Sequence, residues 1–245
     1  FSVNDDATPF FMETYEGLIR KILLSGAGLM LIHNVRYDNM ESAEDIHLKI
    51  GKHYALPCVS MRSTLYPLVA SGEIPNRQIT PDDLHPNDQG HRMVASVIIH
   101  FLETIQKSER PEEGPEPIPA PLTENRYQHS IRYQSSNSAP LLEGFQPDPT
   151  PQEHITQMFR HGFTAWHVGD RITFWVEGTG IAVQYRKSVR KPAPVAKVVV
   201  DDHTEQAVLL DANFQEDWGD CLYIDNALVH GSQGVHKVEI TIVEA

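Results

Sequence analysis

Gly26-Ala27-Gly28-Leu29-Met30-Leu31-Ile32 decides the reading of the first half of the chain. The glycines stop whatever helix precedes them, and Leu29-Met30-Leu31-Ile32 is a continuous apolar run, the pattern of a strand covered on both faces. Upstream, Tyr15, Leu18, Ile19, Ile22 and Leu23 recur at helical spacing. Downstream, a second helix is expected from about Ser42 to His53, with Ser42 as N-cap and Ile46 and Ile50 on its inner face. Ala55 to Met61 reads as another short buried strand. Asn87 then caps a long helix whose inner stripe is Val94, Val97, Ile98, Phe101, Leu102 and Ile105. Strand, helix, strand, helix in this rhythm implies a parallel sheet with helices on its faces.

The character of the chain then changes twice. Ser108 to Leu122 carries Pro111, Pro115, Pro117, Pro119 and Pro121 interleaved with glutamates, a composition that is stiff, extended and poor at helix or sheet. Beyond it lie β-rich runs bounded by glycine, proline and aspartate: Arg171 to Val176, Gly180 to Tyr185, Ala196 to Asp201, Tyr223-Ile224 and Val235 to Val243. Short strands with turn signals predict an antiparallel β-sandwich. The expected organisation is an α/β domain over 1–107, a Pro/Glu-rich linker over 108–122 and a β-sandwich over 123–245.

The composition excludes some partners. With 245 residues, 40% of them hydrophobic, the chain can bury a real core. A net charge of −13 and a pI near 5.4 argue against binding nucleic-acid phosphates. No apolar run approaches the roughly 18–20 residues of a membrane-spanning helix, so no membrane partner is expected. Cys58 and Cys221 fall in different predicted domains, without metal-ligand spacing, and read as small buried residues. Phe1-Ser2-Val3-Asn4 shows neither an initiator methionine nor a signal peptide; the chain is expected to begin mid-fold. The compartment stays open, with the cytoplasm as the default.

Chemistry concentrates in Asp82-Asp83-Leu84-His85-Pro86-Asn87. A histidine acting as general base needs one ring nitrogen held by an acceptor, so that the other faces the nucleophile in the right tautomer. Asp82 can supply the acceptor and His85 can shuttle the proton. A surface loop with a helix cap is the plain alternative. Asp82, His85, Asp88 and His91 can also be read as oxygen and nitrogen ligands of a metal ion. His33, His100 and His167 have no ligand spacing and read as ordinary buried or surface histidines.

Asp82-x-x-His85-Pro86-Asn87-x-x-Gly90-His91 resembles the last block of the SGNH (GDSL) hydrolases, serine esterases and lipases on a flavodoxin-like sheet. Val3-Asn4-Asp5 resembles the block whose asparagine donates to the oxyanion hole, with Ser2 where the family usually has glycine. The resemblance covers roughly residues 1–107. It implies His85 as base and acid, Asp82 as its orienter, Asn4 in the oxyanion hole and an acyl-serine intermediate with no cofactor and no metal. It also implies a Gly-Asp-Ser nucleophile block and an oxyanion glycine, normally upstream of the asparagine. Neither Gly-Asp-Ser nor G-x-S-x-G occurs in the chain. Ser60 lacks the glycines of a nucleophile elbow, and Gly231-Ser232-Gln233-Gly234 reads as a hairpin turn. The nucleophile is therefore expected from outside these residues: from missing N-terminal strands or from a second chain.

In the later half, Gly178-Thr179-Gly180-Ile181 and Gly234 to Ile240 resemble the jelly-roll modules that accompany carbohydrate esterases of this superfamily. Trp166 and Trp175 read as core, whereas Trp218, in the polar stretch Glu216-Asp217-Trp218-Gly219-Asp220, reads as an exposed platform for a sugar ring. The expected substrate is an acylated carbohydrate, the expected reaction removal of acetyl or another short acyl group. A lipase or thioesterase of the same family, a degenerate non-catalytic relative, and a non-catalytic carbohydrate-binding protein remain alternatives.

Overall fold

Thr8 opens the first helix: its backbone is extended, its hydroxyl accepts the Phe11 amide, and Pro9 occupies the first turn. The helix, α1 (Pro9–Leu24), starts earlier than the apolar spacing predicts because this cap lies ahead of the stripe. It closes at Gly26, in the left-handed region with φ of 77°. The computed structural model describes residues 3, 5–108, 117–148, 150 and 154–245. It divides into two compact units, Phe1–Ser130 and Ile131–Ala245.

In the first unit β1 (Leu31–His33), α2 (Glu44–His53), β2 (Cys58–Ser60), α3 (Leu65–Ala70), α4 (Asn76–Ile79) and α5 (Asp88–Lys107) follow in order. β1 pairs β2 in parallel, Leu31 opposite Cys58 and Ile32 opposite Val59. Leu31 packs with Tyr15, Ile19, Ile50 and Tyr54 from α1 and the α2 end. Val59 faces the other way, into a cluster with Met61, Leu65 and Ile79 against Val94, Val97, Ile98 and Phe101 of α5. Helices cover Leu31 on one face and Val59 on the other, but Ile32, paired with Val59, is exposed, so β1 is not covered on both faces as the continuous apolar run implies.

The pair is shorter and smaller than the flavodoxin-like sheet expected. Pro57 has no N–H to donate, so although its carbonyl accepts the Leu31 amide at 2.9 Å the strand begins only at Cys58. Two details of the helices also differ from expectation. Ala43, not Ser42, stands at the N-cap of α2, and the Ser42 hydroxyl accepts the Glu44 amide from one residue further out. Leu102 and Ile105 lie exposed, because α5 runs on past the cluster, whose last α5 contact is Phe101.

The stretch read as a linker is fastened down where it is described; residues 109–116 lie outside the described residues. Ile118 packs on the α1–α2 cluster. The Pro119 carbonyl accepts from Arg20 at 2.6 Å. Fully buried Glu16 accepts the Leu122 amide at 2.7 Å, the Thr123 amide at 2.8 Å, the Thr123 hydroxyl and the Tyr54 hydroxyl at 2.6 Å. A Cβ on Gly17 would stand 2.9 Å from the Tyr127 carbonyl carbon, so α1 meets this strap at backbone contact.

The second unit is β-rich: β3 (Leu141–Glu143), β4 (Gln146–Pro147), β5 (Phe163–Thr164), β6 (Arg171–Gly178), β7 (Ile181–Lys187), β8 (Val195–Val200), β9 (Val208–Asp211), β10 (Cys221–Leu228) and β11 (Gly234–Glu244). A five-stranded antiparallel sheet runs β3-β6-β11-β8-β9, and a separate antiparallel pair joins β10 to β7. Val198, Leu210 and Val238 of the first sheet share one core with Ile181, Val183, Tyr185 and Leu228 of the second. Residues 231–234 are not a hairpin turn. They link β10 to β11, which lie in different sheets, and turn chemistry alone does not say which sheet the next strand enters.

Candidate active site

The loop from Thr80 to Asn87 joins α4 to α5 and is ordered from the inside out. Thr80 is fully buried; its hydroxyl donates to Asp82 Oδ1 and accepts the Asp82 amide, both at 3.2 Å. Asp82 Oδ1 also accepts the Leu84 amide at 3.1 Å and the His85 amide at 2.8 Å, a side-chain turn that wraps the loop about its own carboxylate. The other oxygen, Oδ2, lies 2.7 Å from His85 Nδ1. The His85 amide, then the His85 ring and the Leu84 amide, hold the Asp82 carboxyl well below the usual carboxylate range. An ionised carboxylate only accepts, so Nδ1–H donates this bond and Nε2 is the ring nitrogen left facing outward. The His85 side chain is 76% exposed. The ring therefore stands on a loop open to an incoming group.

The adjacent aspartate does different work. Asp83 sits in the left-handed region with φ of 71°. Its carboxylate takes a two-pronged bond from Arg77, at 2.7 and 2.9 Å, and another from Asn76. Its carbonyl accepts the Tyr37 amide at 2.8 Å. Asp83 ties the loop to α4 and to the segment after β1, while Asp82 alone addresses the imidazole. Asn34 from that segment also reaches the Leu84 carbonyl, at 3.4 Å.

Asn87 closes the loop. Its side-chain oxygen caps α5 by accepting the Gln89 and Gly90 amides at 3.0 Å, and its amide nitrogen donates to the Gln78 carbonyl at 3.0 Å. At Gly90 a Cβ would lie 2.2 Å from the Ile79 carbonyl oxygen, so only glycine lets α5 start this close to the end of α4. The Pro-Asn-x-x-Gly portion of the motif is thus the fixture for the Asp-x-x-His portion.

The remaining residues singled out in the sequence fall elsewhere. Asn4 lies outside the described residues. Trp218, in the second unit, is 56% exposed, but Trp166 and Trp175, read as core, are exposed as well; the Trp218 Nε1 donates to Glu216, and its ring meets Phe214 edge-on at 4.9 Å. The Ser60 hydroxyl accepts the Ser63 amide in a local turn. Among the described residues no serine hydroxyl is hydrogen-bonded to His85, and no cluster of three or more His, Cys, Asp or Glu could hold a metal ion.

Sequence reasoning passed over a buried group in the same unit. Asp5 Oδ2 lies 3.1 Å from Nε2 of His47, which is almost fully buried on α2. The His47 ring stacks on Tyr15 at 3.9 Å and on His33, the last residue of β1, at 5.9 Å. The signal was present in His47, three residues before Ile50 on the inward face of α2.

No family model and no curated protein matches the chain. Solved structures do. One is the crystal structure of a two-domain esterase (CEX) active on acetylated mannans, 53% identical with a TM-score of 0.95; the match covers 100% of this chain and 67% of that one. Another, of the esterase co-crystallized with mannopentaose, is 53% identical with a TM-score of 0.92 and covers 100% of this chain and 66% of that one. The chain spans about two thirds of the length of these structures.

Proposed function

We propose, from the premise that this chain belongs to the family of two-domain esterases that includes the mannan-active enzyme, that it carries the acid–base half of a serine esterase that deacetylates a mannan-type carbohydrate. The observation that carries this is the Asp82–His85 pair: a carboxylate held ionised, 2.7 Å from Nδ1 of an exposed imidazole, on a loop braced at both ends. In this reading His85 Nε2 takes the proton of a serine hydroxyl as its oxygen bonds to the acetyl carbon. The imidazolium, stabilised by Asp82, returns that proton to the departing sugar oxygen. Water then repeats the sequence on the acetyl-serine, and Asn4 donates to the oxyanion in both halves.

The serine comes from outside these 245 residues, which contain no Gly-Asp-Ser. The greater length of the relatives supports a source in further length of the same kind of polypeptide rather than a second chain. The first unit is then part of a flavodoxin-like SGNH domain, to which the parallel β1–β2 pair belongs. The second is a jelly-roll-like module whose exposed Trp218 offers a ring to sugar. The test is covalent labelling: the full-length enzyme incubated with a fluorophosphonate should gain one adduct on a serine, and His85→Ala should lose it. Equal labelling of the two proteins would overturn the assignment of His85.

A further inference from the structure

Three unfavourable features meet at Asp83. Its backbone stands in the left-handed region with φ of 71°, uncommon outside glycine and tolerated best by asparagine and aspartate. Asn76 aims its amide nitrogen at the Asp83 carboxylate and leaves its own Oδ1 buried, with no hydrogen-bond partner among the described residues. Arg77 sets both guanidinium prongs on the same carboxylate, at 2.7 and 2.9 Å, although its side chain is 61% exposed. An exposed ion pair adds little to global stability, an orphaned buried oxygen subtracts from it, and left-handed backbone is strained. Stability alone does not account for this arrangement, which turns attention to what it holds.

Asp83 is the residue between Asp82 and the two amides that Asp82 captures. The left-handed turn folds the chain back there, so that Asp82 Oδ1 receives the Leu84 amide at 3.1 Å and the His85 amide at 2.8 Å. Extended backbone at Asp83 would carry both amides away from that carboxylate, and with them the ring that Oδ2 meets at 2.7 Å. The turn is held from two sides. Arg77 and Asn76 of α4 grip the side chain, and the Tyr37 amide donates to the Asp83 carbonyl at 2.8 Å. Tyr37 is itself buried in the cluster that α5 covers, which anchors the carbonyl to the core.

We propose that Asp83 is a positioning residue of the esterase, clamped by Arg77 and Asn76: it holds the left-handed turn that sets the Asp82 carboxylate against the His85 ring. The inference rests on the serine-esterase reading above. Asp83 acts on the reaction through Asp82 and His85, outside contact with substrate. Without its side chain the turn relaxes toward ordinary backbone, and a misplacement of the general base by about 1 Å lowers turnover by roughly two orders of magnitude. Substrate binding, to which the pair contributes nothing before the transition state, stays nearly unchanged.

The test uses full-length enzyme and acetate release from acetylated mannan. Asp83→Ala removes the carboxylate and disfavours the left-handed backbone; it is expected to lower kcat about 10- to 100-fold with KM within about twofold. Asp83→Asn tolerates the same backbone and keeps an acceptor oxygen for Arg77 and Asn76, so it should recover most of the rate. If Asp83→Ala fails to fold, Asp83→Gly carries the test: glycine meets no steric penalty at this φ, yet the grip of α4 is gone, and a loss in kcat of about tenfold is expected. Wild-type kcat in Asp83→Ala, or in Asp83→Gly in its place, would overturn the proposal. Equal losses in Asp83→Ala and Asp83→Asn, or a loss carried wholly by KM, would overturn it too. His85→Ala runs alongside: if it keeps wild-type turnover the esterase reading itself has failed, whereas a dead His85→Ala beside an unaffected Asp83→Ala sinks only the positioning role.

Discussion

Replacing Glu16 with glutamine isolates the device that fastens residues 117–128 to the first helix. The wild-type carboxylate serves four donors: the Tyr54 hydroxyl, the Leu122 and Thr123 amides and the Thr123 hydroxyl. Glutamine keeps the shape but turns one oxygen into an NH2 facing a donor, so at least one buried amide is orphaned, and the surviving bonds lose their charge. An orphaned buried group costs about 1–3 kcal/mol, and each charge-assisted bond reverting to a neutral one loses about 1 kcal/mol. With two bonds surviving on the remaining oxygen, the sum is about 3–5 kcal/mol. With a urea slope of about 1.5 kcal/mol/M, the unfolding midpoint of the first unit should fall by about 2–3 M. Two signals separate the units: the five α-helices among the described residues, and hence circular dichroism at 222 nm, belong to the first, while Trp166, Trp175 and Trp218 report on the second. Burial alone would raise the Glu16 pKa, but the Thr123 and Tyr54 hydroxyls and the two amides outweigh it and hold it below its ordinary 4.5. A depressed carboxyl contributes stability above its unfolded pKa and loses it as pH falls through the folded value, so the gap between wild type and variant narrows below about pH 4.5. An unchanged dichroism midpoint, or a tryptophan transition that moves just as far, would refute the reasoning.

Other outcomes follow from single contacts. Gly90→Ala places a methyl 2.2 Å from the Ile79 carbonyl oxygen and should destabilise the first unit by about 2 kcal/mol or more, read as a lower dichroism midpoint. Asp82→Asn can present its amide to Nδ1 and stabilise the wrong tautomer of His85; kcat of the full-length enzyme should drop by about 10³–10⁴ with little change in melting temperature. His236, between Asp201 at 2.6 Å and the Ser232 carbonyl at 2.9 Å, faces two acceptors that only an imidazolium satisfies together, and the Asp201 bond first, then the Ser232 carbonyl, raises its pKa. Its contribution is full below the unfolded imidazole pKa and lost as pH rises through the raised folded value; a tryptophan-detected stability of the second unit that stays flat from pH 5.5 to 9 contradicts this. Trp218→Ala should weaken retention on mannan while leaving p-nitrophenyl acetate turnover within twofold.

What the sequence made legible tracks how local the physics is. Asp-x-x-His pairing is local, and the structure brings Asp82 and His85 together as the spacing implies. The division of labour between Asp82 and Asp83 was not legible, since it depends on Arg77 and on the Tyr37 amide arriving from another segment. The parallel pair was visible in Leu29 to Ile32, but not that pairing is confined to Leu31–His33 and Cys58–Ser60, where Pro57 at one end has no N–H to extend the ladder. The proline-rich stretch misled for a related reason. Extended backbone with no internal bonds reads as a linker, yet its amides and carbonyls are what Glu16 and Arg20, about a hundred residues earlier, capture. In the same way Glu13 and Glu16 look like solvent-facing charges on α1 until the strap that covers them is in place. His33 read as an ordinary histidine and His47 escaped notice because histidine on an apolar face is ordinarily a satisfied core residue; only the partners reveal the chain from Asp5 to β1.

The most direct measurement is acetate released from acetylated mannan by the full-length enzyme, followed by proton NMR, wild type beside His85→Ala at equal folded concentration. The account predicts steady release by wild type and a loss of at least about a thousandfold in the variant, with melting temperatures alike. Equal rates from the two proteins would contradict it.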